Sequence, residues 1–377
     1  MTALSDGFGP FDGVFLNSAG DGPLPRSAVA AGHAALSWKI SPNRLTEECY
    51  DAVVGRLKRA LARLINAAAD DIILGNSASY GMHLFANGLP LESGDDVLLV
   101  DGDFPTTIYA WLPLARRGVE PRLIKPAGAV VTAEEIADHM TPRTRIFCTN
   151  WVNSFTGCAA DIDAIGALCR DRGVTFILNI SQAIGARPLD LATAMVDAVT
   201  TCGNKWLCGP YATGFCWLRP GLRESLVYDQ AYWVANLGPE RLANLRHYEL
   251  RDDLGAAKYD VFGTANLNNF MPWTESVETL LEAGMAAISA HDQALVSRLI
   301  DGLDDAGYRL LSPRDGAIRS TLVMVSHRRA ERNPAIHQAL AADRVFVALR
   351  EGNLRFSPHL YNSNADIDRA LEALNAA

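Results

Sequence analysis

RTRIFCTNWVNSFTGCAADIDAIGALCRDRGVTFILNISQ, residues 143–182, joins two short apolar runs through an amphipathic stretch. The apolar runs at 143–154 and 174–182 are bounded by polar residues or glycine, which is typical of strands covered on both faces. Residues 161–173 between them have a helical pattern that stops at an Arg-Gly pair. This strand–helix–strand unit favours two parallel neighbouring strands.

The same alternation continues on both sides of this unit. Apolar runs at 95–103 and 196–204 predict two more strands, and helical patterns occupy 107–118 and 132–140. Alternating strands and helices predict an α/β fold with a doubly wound, mostly parallel sheet and helices on both faces. In such sheets the ligand binds beyond the carboxyl ends of the strands.

A smaller α+β domain is predicted for residues 270–377, after a large domain of residues 1–269 whose first 25 or so residues pack on the small one. The C-terminal part begins with a long helical stretch that breaks near Gly284, and strands, a hairpin and two helices follow. We expect Asn364 to cap the final helix. Residues 219–262 are aromatic and loop-like, which suits the lining of a pocket.

The composition is that of a globular protein, with 377 residues of which 49% are apolar and 20% charged. Its 34 Lys and Arg against 43 Asp and Glu give a net charge of -9, which disfavours nucleic-acid binding. The chain has no apolar run of about 18 residues that would predict a membrane span, and its N-terminus does not resemble a secretory signal. Seven cysteines without metal-ligand spacing indicate reduced thiols and no metal site, so we expect a cytoplasmic protein.

A lysine lies just beyond the last predicted strand of the large domain. In TTCGNKWLCGPYATGF (200–215), Lys205 is surrounded by small and polar residues and followed by Gly-Pro. A lysine in such a position can form a Schiff base with an aldehyde cofactor. Taken alone, the segment fits a surface lysine in a loop better than a cofactor-binding lysine.

Other strand and helix ends carry groups that such a cofactor needs. Backbone N–H groups and the dipole at a helix start favour phosphate, an aromatic ring can stack on the cofactor, and polar side chains can hold its ring. Individually, these residues also fit a helix cap, a core position or a turn, but their succession in chain order indicates one site. They are Ser77 and Ser79 at a helix start and Phe104, Asn153, Asn179 and Gln182 near strand ends.

At these motifs the chain resembles the class-V aminotransferase group of fold-type-I pyridoxal-phosphate enzymes, which includes cysteine desulfurases, kynureninases and isopenicillin-N epimerase-like proteins. The resemblance implies a pyridoxal 5'-phosphate cofactor, a small amino-acid substrate and a homodimer. It runs nearly end to end and is carried by FLNSAGDGPLP (15–25), SASYG (77–81), FPTT (104–107), WVNSFTG (151–157), CGNKWLCGP (202–210), FGTANLNN (262–269) and LRFSPHLYNSNADID (354–368).

The resemblance also implies roles for individual residues. Lys205 would hold the cofactor covalently and act as the catalytic group. Arg355 would clamp the substrate α-carboxylate, because a guanidinium is planar, always charged and bidentate; the alternative is a surface arginine on a strand. Thr264 would reach the phosphate of the partner subunit. The remaining cofactor contacts implied are Ser79, Phe104, Thr107, Asn153, Asn179, Gln182, Thr201, Cys202 and Asn204.

The chain departs from the family pattern at Asn179, where the family carries an aspartate against the ring nitrogen. That aspartate keeps the nitrogen protonated, and the protonated ring withdraws electrons from Cα. A neutral amide lacks this attraction, which is worth a few pKa units at about 1.4 kcal/mol each. We therefore rank β-elimination or replacement slightly above epimerisation, and both above transamination. A family member that has lost catalysis is a further alternative.

The cysteines argue against one reaction of the family. Cysteine desulfurases carry a nucleophilic cysteine shortly before the C-terminal arginine, and this chain has none after Cys216. Cys202 stands where desulfurases have a phosphate-binding serine, with Thr201 beside it as a substitute donor, and Asn204 replaces a His or Tyr. The glycine-rich motifs of nucleotide enzymes are missing from the sequence. The aromatic residues expected near the pocket are Tyr80, Trp151, Phe155, Tyr232 and Trp233.

Overall fold

The computed structural model describes residues 4–228, 230–238, 241–263 and 266–377. The α-helices in these ranges are α1 Arg26–Ile40, α2 Glu47–Ile65, α3 Ala78–Gly88, α4 Pro105–Tyr109, α5 Ala133–His139, α6 Ile162–Arg172, α7 Pro220–Glu224, α8 Trp233–Leu237, α9 Leu267–Ala283, α10 Met285–Asp301, α11 Asn333–Ala342 and α12 Asn364–Ala376. The strands are β1 Val14–Phe15, β2 Ile72–Gly75, β3 Asp96–Val100, β4 Glu120–Ile124, β5 Thr144–Asn150, β6 Thr175–Asn179, β7 Ala198–Cys202, β8 Gly214–Leu218, β9 Tyr308–Leu310, β10 Val323–His327, β11 Val345–Phe346, β12 Ala348–Arg350 and β13 Asn353–Phe356.

The large sheet has the strand order β2-β8-β7-β6-β5-β3-β4. Strands β7, β6, β5, β3 and β4 are parallel to one another, and only β8 runs antiparallel to both of its neighbours. Alternate residues of each strand enter different cores: Phe176 and Leu178 pack under one face, whereas Ile177 packs under the other. Helices supply apolar side chains to both cores, so the predicted doubly wound, mostly parallel sheet is confirmed.

A second sheet of four antiparallel strands, β12-β13-β10-β9, forms the smaller unit with helices α10, α11 and α12. Leu354 and Phe356 of β13 point into the core of this unit. The predicted α+β character of the C-terminal part is confirmed. Near the other end of the chain, β1 pairs in parallel with β11, and Asn17 forms a bridge with Ser357.

Helix α9 packs against α1 and α2. Its residues Trp273 and Val277 are fully buried in a core of the large sheet. The predicted domain division between residues 269 and 270 stays a prediction, and this packing leads us to propose a division about one helix later, at Gly284. The sequence predicted a helix break near this glycine. The break is present, because Gly284 takes a left-handed φ of +83° between α9 and α10.

Two local expectations are wrong. The helix predicted over 107–118 is split, because α4 ends at Tyr109 and a 3-10 turn follows over Leu112–Arg117, where Pro113 cannot donate a helical hydrogen bond. The final helix is capped by Ser363 rather than Asn364. The Ser363 hydroxyl accepts from the Asp366 N–H at 3.3 Å, and the Asp366 carboxylate accepts from the Ser363 N–H at 2.7 Å.

Candidate active site

A cavity lies beyond the carboxyl ends of β5, β6 and β7, beside the start of α3. Five separate chain segments meet there, which is the usual ligand position in a sheet of this kind. Seven of the sequence-predicted site residues line it: Ser77, Ser79, Phe104, Asn179, Gln182, Cys202 and Lys205. The other lining residues are Ala78, Thr106, Asn150, Val152, Ser154 and Ser181.

Lys205 is half-buried and faces this cavity. Its Nζ lies 5.0 Å from the centroid of the Phe104 ring, and that ring stacks on Phe155 with 6.5 Å between centroids. Phe104 is 37% exposed, so it is not a core residue. Lys205 is therefore not simply a surface lysine, and Phe104 is not a core residue.

The backbone that carries Lys205 is held from two distant parts of the chain. The Gly22 N–H donates to the Asn204 carbonyl at 2.7 Å, and a Cβ atom at Gly22 would lie only 2.0 Å from the Lys205 carbonyl oxygen. On the other side, Nε2 of His359 donates to the Trp206 carbonyl at 3.0 Å. The lysine thus projects from a segment that is fixed immediately before and after it.

The start of α3 presents polar groups to the cavity. Ser77 caps the helix, since its hydroxyl accepts from the Tyr80 N–H at 3.3 Å. Ser79 is therefore not the cap, and its hydroxyl lies 3.3 Å from that of Thr106. The first-turn N–H groups and the positive end of the helix dipole make this a suitable place for a phosphate.

Asn179 ends β6, and its amide has a defined orientation. Its Oδ1 accepts from the Ser181 N–H at 3.0 Å, and its Nδ2 donates to the Thr107 hydroxyl oxygen at 3.0 Å. The Thr107 hydroxyl donates in turn to Oδ1 of Asn150 at 2.5 Å. Thr107 is fully buried behind the cavity wall, so it reaches the site through Asn150 and Asn179 rather than directly.

Asp103 lies at the far end of these hydrogen bonds. Its Oδ1 accepts from Nδ2 of Asn150 at 3.0 Å. Its Oδ2 accepts from the Asn150 backbone N–H at 3.0 Å and from the Thr149 hydroxyl at 2.8 Å. Burial raises the pKa of Asp103 to about 6, which leaves the carboxyl ionised in neutral and mildly alkaline solution.

Three predicted contacts lie away from the cavity. The Asn153 side chain accepts from the backbone N–H groups of Phe155 and Thr156, at 2.9 and 3.0 Å, as a turn residue does. The Thr201 hydroxyl donates to the Cys202 carbonyl, and Asn204 donates to Asp21 at 3.4 Å. Thr264 lies outside the described residues, so its predicted role stays a prediction.

Asn150 lines the cavity although the sequence reasoning did not select it. Asn150 is the last residue of β5, three positions before the selected Asn153. Asn150 could have been selected from the sequence because it is the polar residue that ends the predicted strand.

The five aromatic candidates do not line the cavity. Phe155 backs Phe104, and Trp151 lies 5.6 Å from the Arg187 guanidinium carbon. Trp233 is 41% exposed. The hydroxyls of the remaining two, Tyr80 and Tyr232, donate to the Tyr259 and Gly263 carbonyls.

Arg355 lies on β13 with its side chain buried, only 3% exposed. It pairs with Met324 of β10, and cross-strand partners share one face of a sheet. Met324 belongs to a buried cluster with Trp206, the residue after Lys205. Arg355 therefore lies on the sheet face that packs toward the lysine segment, although it does not line the cavity. Its Nε has no hydrogen-bond partner among the described residues, and burial lowers the pKa of Arg355 to about 10.

His359 is a site residue that the sequence reasoning missed. It is fully buried, with Nδ1 2.8 Å from Oδ2 of the fully buried Asp292 and Nε2 on the Trp206 carbonyl. Burial opposes a charge here, but the Asp292 carboxylate outweighs it and raises the pKa of His359 to about 10. Both ring nitrogens face acceptors, as a charged imidazolium requires. Because Asp292 lies far away in sequence, no local motif indicated this pair.

The sequence profile of the class-V aminotransferases matches residues 14–369. This chain belongs to the class-V aminotransferase family. It is 29% identical over 386 residues to isopenicillin N epimerase of Streptomyces clavuligerus, which covers 96% of this chain and 94% of that one. It is 26% identical to a probable cysteine desulfurase of Methanothermobacter thermautotrophicus, over 96% and 94% of the two chains. The fold is similar to that of the cystine C-S lyase C-DES, solved in complex with cysteine persulfide, with a TM-score of 0.87, 21% identity, and 96% and 97% of the two chains covered.

As a member of the class-V aminotransferase family, the chain is a pyridoxal-phosphate-dependent enzyme, as the resemblance implied. Three features of its own structure fit that cofactor: a helix start for the phosphate, an exposed ring for stacking, and a lysine beside that ring. No group of three or more His, Cys, Asp or Glu side chains within the described ranges could hold a metal ion. No described helix is long and apolar enough to cross a membrane.

Proposed function

We propose that this class-V enzyme acts at Cα of a small amino acid and catalyses β-elimination or β-replacement. The observation that carries the proposal is the buried guanidinium of Arg355. Its Nε has no hydrogen-bond partner among the described residues, and it lies on the sheet face that packs toward the segment of Lys205. A buried charge is costly unless it is paired, and a planar carboxylate is the natural partner of a guanidinium. Arg355 would therefore bind the α-carboxylate of the substrate.

The cofactor would be held by residues around the cavity. Ser77, Ser79 and the first N–H groups of α3 would bind the phosphate, Phe104 would stack on the ring, and Lys205 would bind the aldehyde carbon. When bound, pyridoxal phosphate supplies a ring that accepts negative charge from Cα. The Lys205 amine would take the α-proton of the substrate.

The reaction type is inferred from two features of the sequence. Asn179 is neutral, so it supports less charge build-up on the ring than the family aspartate would, and elimination of a good leaving group demands less of the ring than transamination does. The chain has no cysteine after Cys216 to receive sulfur as a desulfurase does. Epimerisation is the second candidate, favoured by the 29% identity to isopenicillin N epimerase.

We further propose a cytoplasmic homodimer. Apolar side chains are exposed in the segment that precedes the predicted Thr264 contact, and a partner subunit would cover them: Leu242, Leu245, Leu250 and Phe262. Sedimentation equilibrium would test the dimer, and a monomer at all concentrations would contradict it.

The cofactor assignment is tested by spectroscopy. The purified protein should show a visible absorption band that borohydride reduction removes and that Lys205→Ala lacks. Lys125→Ala, an exposed lysine of the neighbouring cavity, should keep the band. A colourless wild type that takes up no added pyridoxal phosphate would refute the role of Lys205.

The reaction is tested with a panel of amino acids in deuterated water. Elimination predicts exchange of the α-hydrogen together with release of ammonia and a 2-oxo acid. Epimerisation predicts exchange with formation of the other enantiomer only. If no amino acid exchanged its α-hydrogen, the protein would be a family member without this catalytic activity.

A further inference from the structure

One wall of the cavity is formed by the chain that leaves β5, and every second residue of this chain faces inward. Asn150, Val152 and Ser154 line the cavity. Trp151 and Asn153 between them do not. Successive side chains of an extended chain point to opposite sides, and Val152 still makes a β-bridge beyond the end of β5. The backbone therefore directs Ser154 into the cavity.

The hydroxyl of Ser154 is a buried polar group without a partner. The residue is only 2% exposed, and its hydroxyl makes no hydrogen bond to any residue that the structure describes. Buried hydroxyls in folded proteins are nearly always hydrogen-bonded, and an unpaired one costs free energy. Since Ser154 lines the cavity, its partner must come from what the cavity binds.

The turn that carries Ser154 is held by the neighbouring Asn153. Oδ1 of Asn153 accepts from the N–H groups of Phe155 and Thr156, at 2.9 and 3.0 Å. Its Nδ2 donates at 3.0 Å to the carbonyl of Gly102, in the loop that follows β3 and carries the exposed aromatic ring of the cavity. The Ser154 hydroxyl is thus fixed relative to that ring before a ligand binds.

Ser154 lies where the side chain of an amino-acid substrate would lie. It is four residues past the end of β5, about 13 Å along an extended chain, and so beyond the strand ends against which the cofactor ring would rest. Phe155, the next residue, stacks on Phe104, and Nζ of Lys205 lies 5.0 Å from the centroid of the Phe104 ring. An amino acid that reacts beside Lys205 therefore has its side chain near these two rings and the Ser154 hydroxyl.

The cavity offers no counter-charge to the side chain of a substrate. Among the described residues that line it, Lys205 is the only charged one, and it would hold the cofactor. Arg355 would be occupied by the α-carboxylate. An unpaired charge in such a cavity is costly, whereas a neutral group that accepts one hydrogen bond finds the Ser154 hydroxyl.

We propose that Ser154 is a specificity-determining residue whose hydroxyl donates to an uncharged oxygen or sulfur atom bonded to Cβ of the substrate. This inference rests on the proposed function, in which an amino acid binds beside Lys205 and the cofactor. It deepens that function by naming the substrate class. The substrates are small α-amino acids with a neutral substituent on Cβ that accepts a hydrogen bond.

Calorimetric titration of the pyridoxal-phosphate-loaded protein with two isosteric amino acids tests the role of Ser154. O-methyl-L-serine and L-norvaline have side chains of equal length, but only the first has an oxygen bonded to Cβ. Ser154→Ala should weaken O-methyl-L-serine about three- to tenfold relative to L-norvaline, as the loss of one neutral hydrogen bond does. Ser154→Thr keeps a hydroxyl and should keep the wild-type ratio. Ser93→Ala, at an exposed serine, should leave both dissociation constants unchanged.

A second pair of ligands tests the neutral substrate class and needs no variant. L-asparagine and L-aspartate have side chains of the same shape, but only L-aspartate carries a charge on it. The wild type should bind L-asparagine about tenfold or more tightly than L-aspartate, because the cavity has no free cation for the second carboxylate.

Two results would overturn the proposal. An equal loss of affinity for O-methyl-L-serine and L-norvaline in Ser154→Ala would show that the serine only supports packing. Binding of L-aspartate as tight as that of L-asparagine would remove the neutral substrate class. Both ratios are equilibrium quantities, so they do not depend on which reaction follows. If none of the four amino acids bound to the loaded protein, the proposed function itself would be contradicted.

Discussion

Replacement of Asp292 by asparagine should destabilise the protein strongly and in a pH-dependent way. Asp292 and His359 are both fully buried, and the pKa of His359 stands at about 10 instead of its ordinary 6.5. At about 1.4 kcal/mol per pKa unit, this rise corresponds to about 5 kcal/mol of stabilisation. The burial of Asp292 offsets part of it, so we expect a loss of about 3–5 kcal/mol, as for other broken buried pairs.

The sign of the pH dependence follows from the raised pKa of His359. Its contribution is fully present below the unfolded pKa near 6.5 and is lost as the pH rises through about 10. The gap in unfolding free energy between wild type and Asp292→Asn should therefore be larger at about pH 6 than at about pH 9.5.

Urea denaturation at the two pH values would measure this gap. Asp301→Asn, an exposed aspartate at the end of the same helix, is the matched control and should change stability by less than about 0.5 kcal/mol. A loss under about 1 kcal/mol, or an equal loss at both pH values, would refute the charged pair.

Two further predictions concern the site. Gly22→Ala should weaken the binding of pyridoxal phosphate measured by fluorescence titration, because its Cβ atom would displace the Lys205 carbonyl; Gly316→Ala, with open space around it, should not. Arg355→Met should raise the unfolding free energy of the ligand-free protein by about 1–3 kcal/mol, since the buried charge that lowers the Arg355 pKa to about 10 is removed, while amino-acid binding is lost. Arg309→Met on β9 of the same sheet should change neither quantity, and a destabilised Arg355→Met would mean that the arginine has a structural partner.

The fold was predictable because each central strand is buried on both faces. The runs around Leu98, Phe147, Phe176 and Val199 are apolar without alternation, and only a sheet with helices on both faces hides such strands. The end of α9 at Gly284 was also readable, since glycine takes the left-handed conformation there. Whether α9 packs with the large or the small sheet depends on tertiary contacts that no local pattern carries.

The candidate site was predictable for residues that line the cavity directly from a strand end or a helix start. Lys205, Phe104, Asn179 and Ser79 follow a strand or start a helix, and the structure gathers them around one cavity. Some residues that reach the site only through another residue were missed.

Asp103 and His359 are such residues. They reach the site through hydrogen bonds to Asn150 and the Trp206 carbonyl, and those partners become neighbours only after folding. Sequence position alone could not have linked either residue to the cofactor pocket.

The hydrogen bonds that hold the lysine segment determine when during synthesis the cofactor site can form. Gly22 is translated long before Lys205 and His359 long after it, yet both hold the backbone around Lys205. Ser18 and Tyr361, 343 residues apart in sequence, join hydroxyls at 2.5 Å beside them. Contacts of such long sequence separation form late, and an emerging chain cannot make them. We expect a growing chain that still lacks the His359 segment to carry a complete parallel sheet and an unprepared lysine, so that cofactor capture follows synthesis of that segment.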